Sequence, residues 1–238
     1  MKNFDWLIKT PIAHRGLHND KLPENSISAF QNAIRHGYNI ETDVRLTKDK
    51  KLVLFHDDTL SRMCGENVAV ADLTFDELQS YTLKNTSEKV PLLSDLLSLA
   101  GENVGLLIEL KSDGKGELEK AVYDEIKNLN GRYAVQSFHP YSVKWFKDNA
   151  KEIPRGLLAT IELPPALSKI VRFVLKHLLL YKKVSPDFLA YDERFIAKRR
   201  VQKRKVPRLA WTVREKTREH ELLEKGLADN VIFENYLA

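Results

Sequence analysis

At 238 residues, 43% of them hydrophobic, the chain is long enough for one large domain with a full core. A single cysteine, Cys64, excludes an intrachain disulfide framework. The 38 Lys and Arg against 33 Asp and Glu give a net charge of +5, an excess that suits anionic phosphate substrates or an anionic lipid surface. Asp5 and Lys9 interrupt any signal-type apolar core at the N-terminus, and no apolar run approaches membrane-spanning length, so a cytoplasmic protein is expected.

In chain order, Pro11-Ile12-Ala13 reads as an apolar strand that delivers His14 and Arg15 onto a turn at Gly16. A short helix follows, with Asn25 or Ser26 as N-cap, Ile27, Phe30 and Ile34 as its apolar positions, and Gly37 closing it. A second strand, over 38–46, carries Glu41 and Asp43. Side chains two apart on a strand share a face, so these carboxylates would repel each other unless a divalent cation lay between them. The turn at 47–50 is too short for a parallel crossover, so 51–56 should return antiparallel and place His56 opposite Glu41. This hairpin opens an insertion running to about residue 90. It contains a short capped helix over 72–81, with Thr74 as N-cap and Glu77 three residues on.

Leu106-Leu107-Ile108-Glu109-Leu110-Lys111 is an apolar strand ending in an acid and a base that face the same way. Buried charges there need partners, and with Glu41 and Asp43 they make a divalent site in a basic surround, suited to a phosphoester. With the hairpin set aside, eight strands remain, at 11–15, 39–44, 105–111, 133–138, 155–160, 187–192, 208–213 and 230–234. Helical patterns at 94–100, 117–129, 141–150, 194–203 and 215–225 lie between them. This alternation predicts a (β/α)8 TIM barrel with a small insertion after the second strand, as one domain over 1–238. His14, Glu41, Glu109, Gln136 and Trp211 fall at the carboxyl ends of strands, where barrel active sites are built.

Residues 166–183 read as one long helix with apolar residues over most of its circumference and a basic stripe of Lys169, Arg172 and Lys176. Two alternatives stay open: a helix covered by the barrel and a partner, or a lid in peripheral contact with lipid through 164–183. The run Lys198-Arg199-Arg200 with Lys203-Arg204-Lys205 has no interleaved aromatic residue. It reads as a solvated face rather than a nucleic-acid platform.

His14-Arg15-Gly16, Pro23-Glu24-Asn25-Ser26, Glu41-Thr42-Asp43-Val44, His56-Asp57, Ile108-Glu109-Leu110-Lys111 and Trp211-Thr212-Val213 resemble, in that order, the motifs of the glycerophosphodiester phosphodiesterase family. The family usually ends its last strand with Thr-Asp, where this chain has Phe233-Glu234-Asn235. The resemblance implies Glu41, Asp43 and Glu109 as ligands of one divalent ion, Mg²⁺ or Ca²⁺, and His14 and His56 as general acid and base. It implies Arg15 and Lys111 as phosphate-binding groups. Gln136 and Trp211 would reach the ligand, and Glu24 and Asn25 would support the site. One of Asp57 and Asp58 could orient His56. The implied activity is metal-dependent hydrolysis of glycerophosphodiesters to sn-glycerol 3-phosphate and an alcohol. The alternatives are lysophospholipase D-type hydrolysis of lysophospholipids and non-catalytic phosphoglycerol binding.

Overall fold

The computed structural model describes residues 5–238, and the first four residues lie outside the described residues. Among the described residues, nine strands form one sheet: β1 (Ile12–Ala13), β2 (Asn39–Leu46), β3 (Leu52–Leu54), β4 (Gly105–Leu110), β5 (Arg132–Ser137), β6 (Arg155–Ala159), β7 (Phe188–Asp192), β8 (Arg208–Val213) and β9 (Asn230–Phe233). All but β3 run parallel, and β1 pairs with both β2 and β9, so the eight parallel strands close on themselves. Helices alternate with the strands, and the fold is the predicted TIM barrel.

The barrel interior holds Ile12, Leu107, Ala134, Leu158, Ala190 and Leu209 in one apolar cluster. The N-terminal helix Asp5–Lys9 joins that cluster through Trp6 and Leu7. Asn39 Nδ2 donates to the Trp6 carbonyl and Asn230 Nδ2 to the Leu7 carbonyl, which ties this helix to the starts of β2 and β9. Gly105 makes room for it, since a Cβ there would stand 2.1 Å from the Trp6 ring. A larger cluster fills the layer between strands and outer helices, from Phe30 and Ile40 to Val231 and Phe233.

Between β2 and β4 the chain leaves the barrel. β3 pairs antiparallel with β2, and Val53, Phe55, Leu60, Met63, Leu78 and Val90 form a separate apolar cluster beneath the excursion. The capped helix spans Phe75–Leu78, shorter than the pattern over 72–81, with Thr74 and Glu77 forming the reciprocal capping box.

Two helical expectations need correction. Residues 166–183 are not one helix: Lys169–Lys176 and Tyr181–Val184 are separate, and Leu178 between them adopts φ +53°. The break lets Leu178 and Val184 reach the core, which a continuous helix would have carried away from it. Over 194–203 only Arg199–Gln202 is helical, because Arg194 folds back onto Asp192 and the chain turns through Phe195 N to Asp192 O and Lys198 N to Phe195 O.

Candidate active site

The polar face at the carboxyl end of the barrel follows from the two-residue period of its strands. His14 stands two positions past the interior Ile12, Glu109 past Leu107, Gln136 past Ala134, Trp211 past Leu209, and Glu234 past Ile232. Each side chain therefore shares the inward face with its apolar predecessor and caps the apolar layer with a polar one.

Glu41, Asp43 and Glu109 converge at the centre, each at most 6% exposed, with carboxylate oxygens within 4.8 Å of one another. β2 and β4 place Asp43 directly beside Glu109. Lys111 Nζ lies 3.0 Å from Asp43 Oδ1 and pairs with Glu109, and Arg15 Nε lies 3.2 Å from Asp43 Oδ2. Burial opposes ionisation of Asp43, but Lys111 and Arg15 overcome it and hold the acid below its usual range. Burial, then repulsion from Asp43 and Glu109, pushes Glu41 well above its ordinary value. Burial also raises Glu109, against the pull of Lys111. Two cations thus face three buried carboxylates, and the buried Glu41 Oε1 accepts no hydrogen bond among the described residues. An oxygen donor set with excess negative charge and an unused buried oxygen fits a hard divalent cation.

The loop after β1 supports this centre. Arg15 N donates to Glu41 Oε2 at 3.1 Å, and Asn25 Nδ2 donates to Asp43 Oδ2 at 2.9 Å while its Oδ1 accepts from Thr42. Arg15 and Asn25 both adopt left-handed backbone, at φ +55° and +54°, a strain of about 1–3 kcal/mol each at non-glycine residues. Ser26 is the N-cap of the helix Ile27–Arg35, accepting from Ala29 N, so the cap is not Asn25, whose side chain turns to Asp43 instead.

Each histidine is held by a carboxylate at Nδ1. His14 Nδ1 lies 2.6 Å from Glu234 Oε2, leaving Nε2 at 4.0 Å from Glu41 Oε2. Glu234 also meets His18 at 3.6 Å and accepts from Arg214 Nε at 2.7 Å, and His14 and Arg214 help depress its pKa against burial. His56 Nδ1 lies 2.6 Å from Asp57 Oδ1. Burial lowers both histidines, His56 to about 4. The expected pairing of His56 with Glu41 needs correction. β3 ends at Leu54, opposite Val44, and Phe55 N donates to Asp43 O, so the hairpin register carries His56 toward Thr42. His56 still senses the Asp43 charge, and its carbonyl accepts from Arg45 Nε and Nη2.

Sequence reasoning missed Glu234, His18 and Arg62. Arg62 reaches from the insertion to Asp57 Oδ2 at 2.7 Å and to both oxygens of Glu24 at 2.7 Å, and Glu24 also accepts from Arg15 at 2.6 Å. Burial alone would raise Glu24, but Arg62 and Arg15 hold it at about 2, against 4.5 for a free side chain. A depressed carboxylate stabilises the fold above its unfolded pKa and loses that contribution as pH falls through the folded one. Thermal melts of Glu24→Gln should therefore show a lower Tm than the parent at pH 7. The gap should close between pH 4.5 and 2. An equal gap at both ends would refute the linkage.

Gln136 is buried beside Glu109, with Oε1 unpaired among the described residues. Trp211 stands half-buried against Phe138, ring centroids 5.3 Å apart. Both Trp211 and Phe138 line a cavity of about 1230 Å³ that starts at Glu109 and Lys111 and runs beneath the helix Lys169–Lys176.

A sequence profile of the glycerophosphoryl diester phosphodiesterase family matches residues 14–237. A glycerophosphodiester phosphodiesterase of Caldanaerobacter subterraneus is 35% identical over 159 residues, covering 62% of this chain and 65% of its own length. A human lysophospholipase D is 31% identical over 159 residues, covering 60% of this chain and 49% of its own. The chain spans less than two thirds of the length of the curated relatives it matches. In fold it is similar to an Oleispira antarctica phosphodiesterase solved with the product sn-glycerol-3-phosphate, with a TM-score of 0.80 at 24% identity over 97% of this chain and 94% of that one. With the profile matched over nearly its whole length, the chain belongs to the glycerophosphoryl diester phosphodiesterase family.

Proposed function

We propose that this chain is a divalent-metal-dependent hydrolase of glycerophosphodiesters, releasing sn-glycerol 3-phosphate and an alcohol from one barrel domain with an insertion at about 47–90, in the cytoplasm. The observation that carries the reading is the buried Glu41–Asp43–Glu109 trio set between two cations and two carboxylate-held histidines. Glu41, Asp43 and Glu109 would hold one Mg²⁺ or Ca²⁺. When bound, such an ion neutralises the trio and polarises a phosphoryl oxygen.

In this reading Arg15 and Lys111 bind the phosphate oxygens, Arg15 with a planar fork and Lys111 as a point charge. Each histidine commits Nδ1 to a carboxylate, so Nε2 is the atom of each that exchanges a proton with the substrate. One takes the proton of the attacking oxygen as that oxygen bonds to phosphorus; the other, first protonated from solvent, gives its proton to the alkoxide as the ester P–O bond breaks. Glu234 and Asp57 steady the imidazolium form of the histidine each holds. Glu24 and Asn25 hold Arg15 and Asp43 in place, while Gln136 and Trp211 meet the substrate's glycerol end. Incubating the protein with glycerophosphocholine and reading glycerol 3-phosphate with a coupled dehydrogenase tests the proposal. Phosphoglycerol binding without product would leave the non-catalytic alternative.

Glu234 acts in this scheme as a positioning residue for His14. Glu234→Ala should lower kcat about 10–100-fold with KM little changed, and Glu234→Asp should restore part of the loss. An unchanged kcat in Glu234→Ala would remove it from the scheme.

A second reading, lysophospholipid hydrolysis, is favoured by the cavity. Its walls include Phe138, Leu163, Val174 and Leu175, an apolar lining that a small polar substrate does not need. Turnover of lysophosphatidylcholine above that of glycerophosphocholine would select it.

A further inference from the structure

The helix Lys169–Lys176 buries none of its own residues, although seven of the twelve side chains from Leu167 to Leu178 are apolar. At 100° per residue, Leu167, Ile170, Val171, Phe173, Val174 and Leu175 span one broad arc, and Lys169, Arg172 and Lys176 close the opposite side. The apolar arc is not packed away. Ile170 is 77% exposed and Phe173 57%. Of the nine large apolar residues that stand exposed among the described residues, six lie on this helix, just after it, or on the cavity wall at Phe138 and Tyr141. Scattered exposure of single apolar side chains is ordinary; concentration around one opening is not.

The charge here has one sign. Between Glu162 and Asp187 the chain contains no acid, while Lys169, Arg172, Lys176, Lys182 and Lys183 supply five cations. The segment is anchored at its rear. Leu178 is buried, Arg200 Nη1 donates to the Lys176 carbonyl, and the Arg204 guanidinium lies 4.2 Å from the Tyr181 ring centroid. The apolar arc is continuous with the cavity, because Leu167, Ile170, Val171 and Val174 line both.

We propose that this helix docks the protein on an anionic lipid bilayer, inserting Ile170, Phe173 and Leu179 at the acyl boundary and placing the five cations among the headgroups. An exposed protein partner would also cover apolar surface, but an uninterrupted set of cations beside an apolar arc matches an anionic membrane interface. Docking sets the cavity mouth against the bilayer, so that a lipid phosphodiester passes from the interface toward Glu109 and Lys111 without crossing water. The role of the docked state in turnover rests on the phosphodiesterase reading; docking itself does not.

The test is co-sedimentation with vesicles of phosphatidylcholine alone or with about 30% phosphatidylglycerol, alongside turnover of soluble glycerophosphocholine. The parent should sediment with the anionic vesicles and not with the neutral ones. Phe173→Ser combined with Leu179→Ser should weaken that binding about tenfold or more, since both side chains already stand in solvent, outside the cavity lining, and their loss spares the core. Lys169→Gln with Arg172→Gln, which keeps the apolar arc, should weaken it about tenfold on anionic vesicles. Turnover of soluble substrate should stay within about twofold in both variants. A parent that ignores anionic vesicles, binds neutral ones equally, or keeps its binding in either folded double variant overturns the proposal. Vesicle binding by a parent that turns over no glycerophosphodiester would sink the enzymatic reading and leave the docking surface standing.

Discussion

His56→Ala and His14→Ala should each lower turnover of glycerophosphocholine about 10²–10⁴-fold, the range for losing a positioned proton-transfer group. Both histidines lose a carboxylate partner when removed, so the effect on stability is not zero. It is modest for His56, which is a third exposed and anchored mainly through its carbonyl to Arg45. The Tm of His56→Ala should therefore stay close to the parent's while kcat collapses. A His56→Ala protein with near-normal kcat would take His56 out of the mechanism, and with it the role of the hairpin that delivers it.

The second large effect is expected at Glu41, and its two readouts move in opposite directions. Burial and repulsion from Asp43 and Glu109 raise this carboxyl's pKa. A folded pKa above the unfolded one destabilises the fold as pH rises past the unfolded value. Glu41→Gln removes that cost while its amide oxygen can still accept from Arg15 N. In chelator at pH 7 the variant should melt higher than the parent, and its turnover should be lower by about 10²-fold or more. Added divalent cation should raise the parent's Tm more than the variant's, since an ion that binds only the folded state stabilises it. A lower Tm for Glu41→Gln in chelator would mean that the trio is held by hydrogen bonds rather than strained by repulsion.

The barrel and the centre of its site are legible in the sequence because both depend on short-range periodicity. Apolar strands that end in Glu109 or Gln136 announce their inward face two residues at a time, and the eight-fold alternation leaves few other architectures. Glu234 obeys the same rule, standing two past Ile232, and was hidden by its context, Phe233-Glu234-Asn235, which departs from the Thr-Asp ending of the resembling family. Arg62 had no such signal. It lies 38 residues from Glu24, on an insertion helix of four residues, and only the fold brings it to Glu24 and Asp57. The hairpin register differs by one residue because Leu46 pairs with Leu52, so the turn takes five residues, 47–51, where four were expected. The segment 166–183 reads as one helix because a composition apolar on most sides does not show where Leu178 must turn inward.

Under the proposal above, this chain hydrolyses glycerophosphodiesters through a divalent ion held by Glu41, Asp43 and Glu109. Its most direct test is turnover of glycerophosphocholine by exhaustively chelated protein, before and after titration with Mg²⁺ or Ca²⁺. Glycerol 3-phosphate release should be lost on chelation and should recover with one of the two ions in the parent, but not in Glu109→Gln. Full turnover by the chelated parent would contradict it.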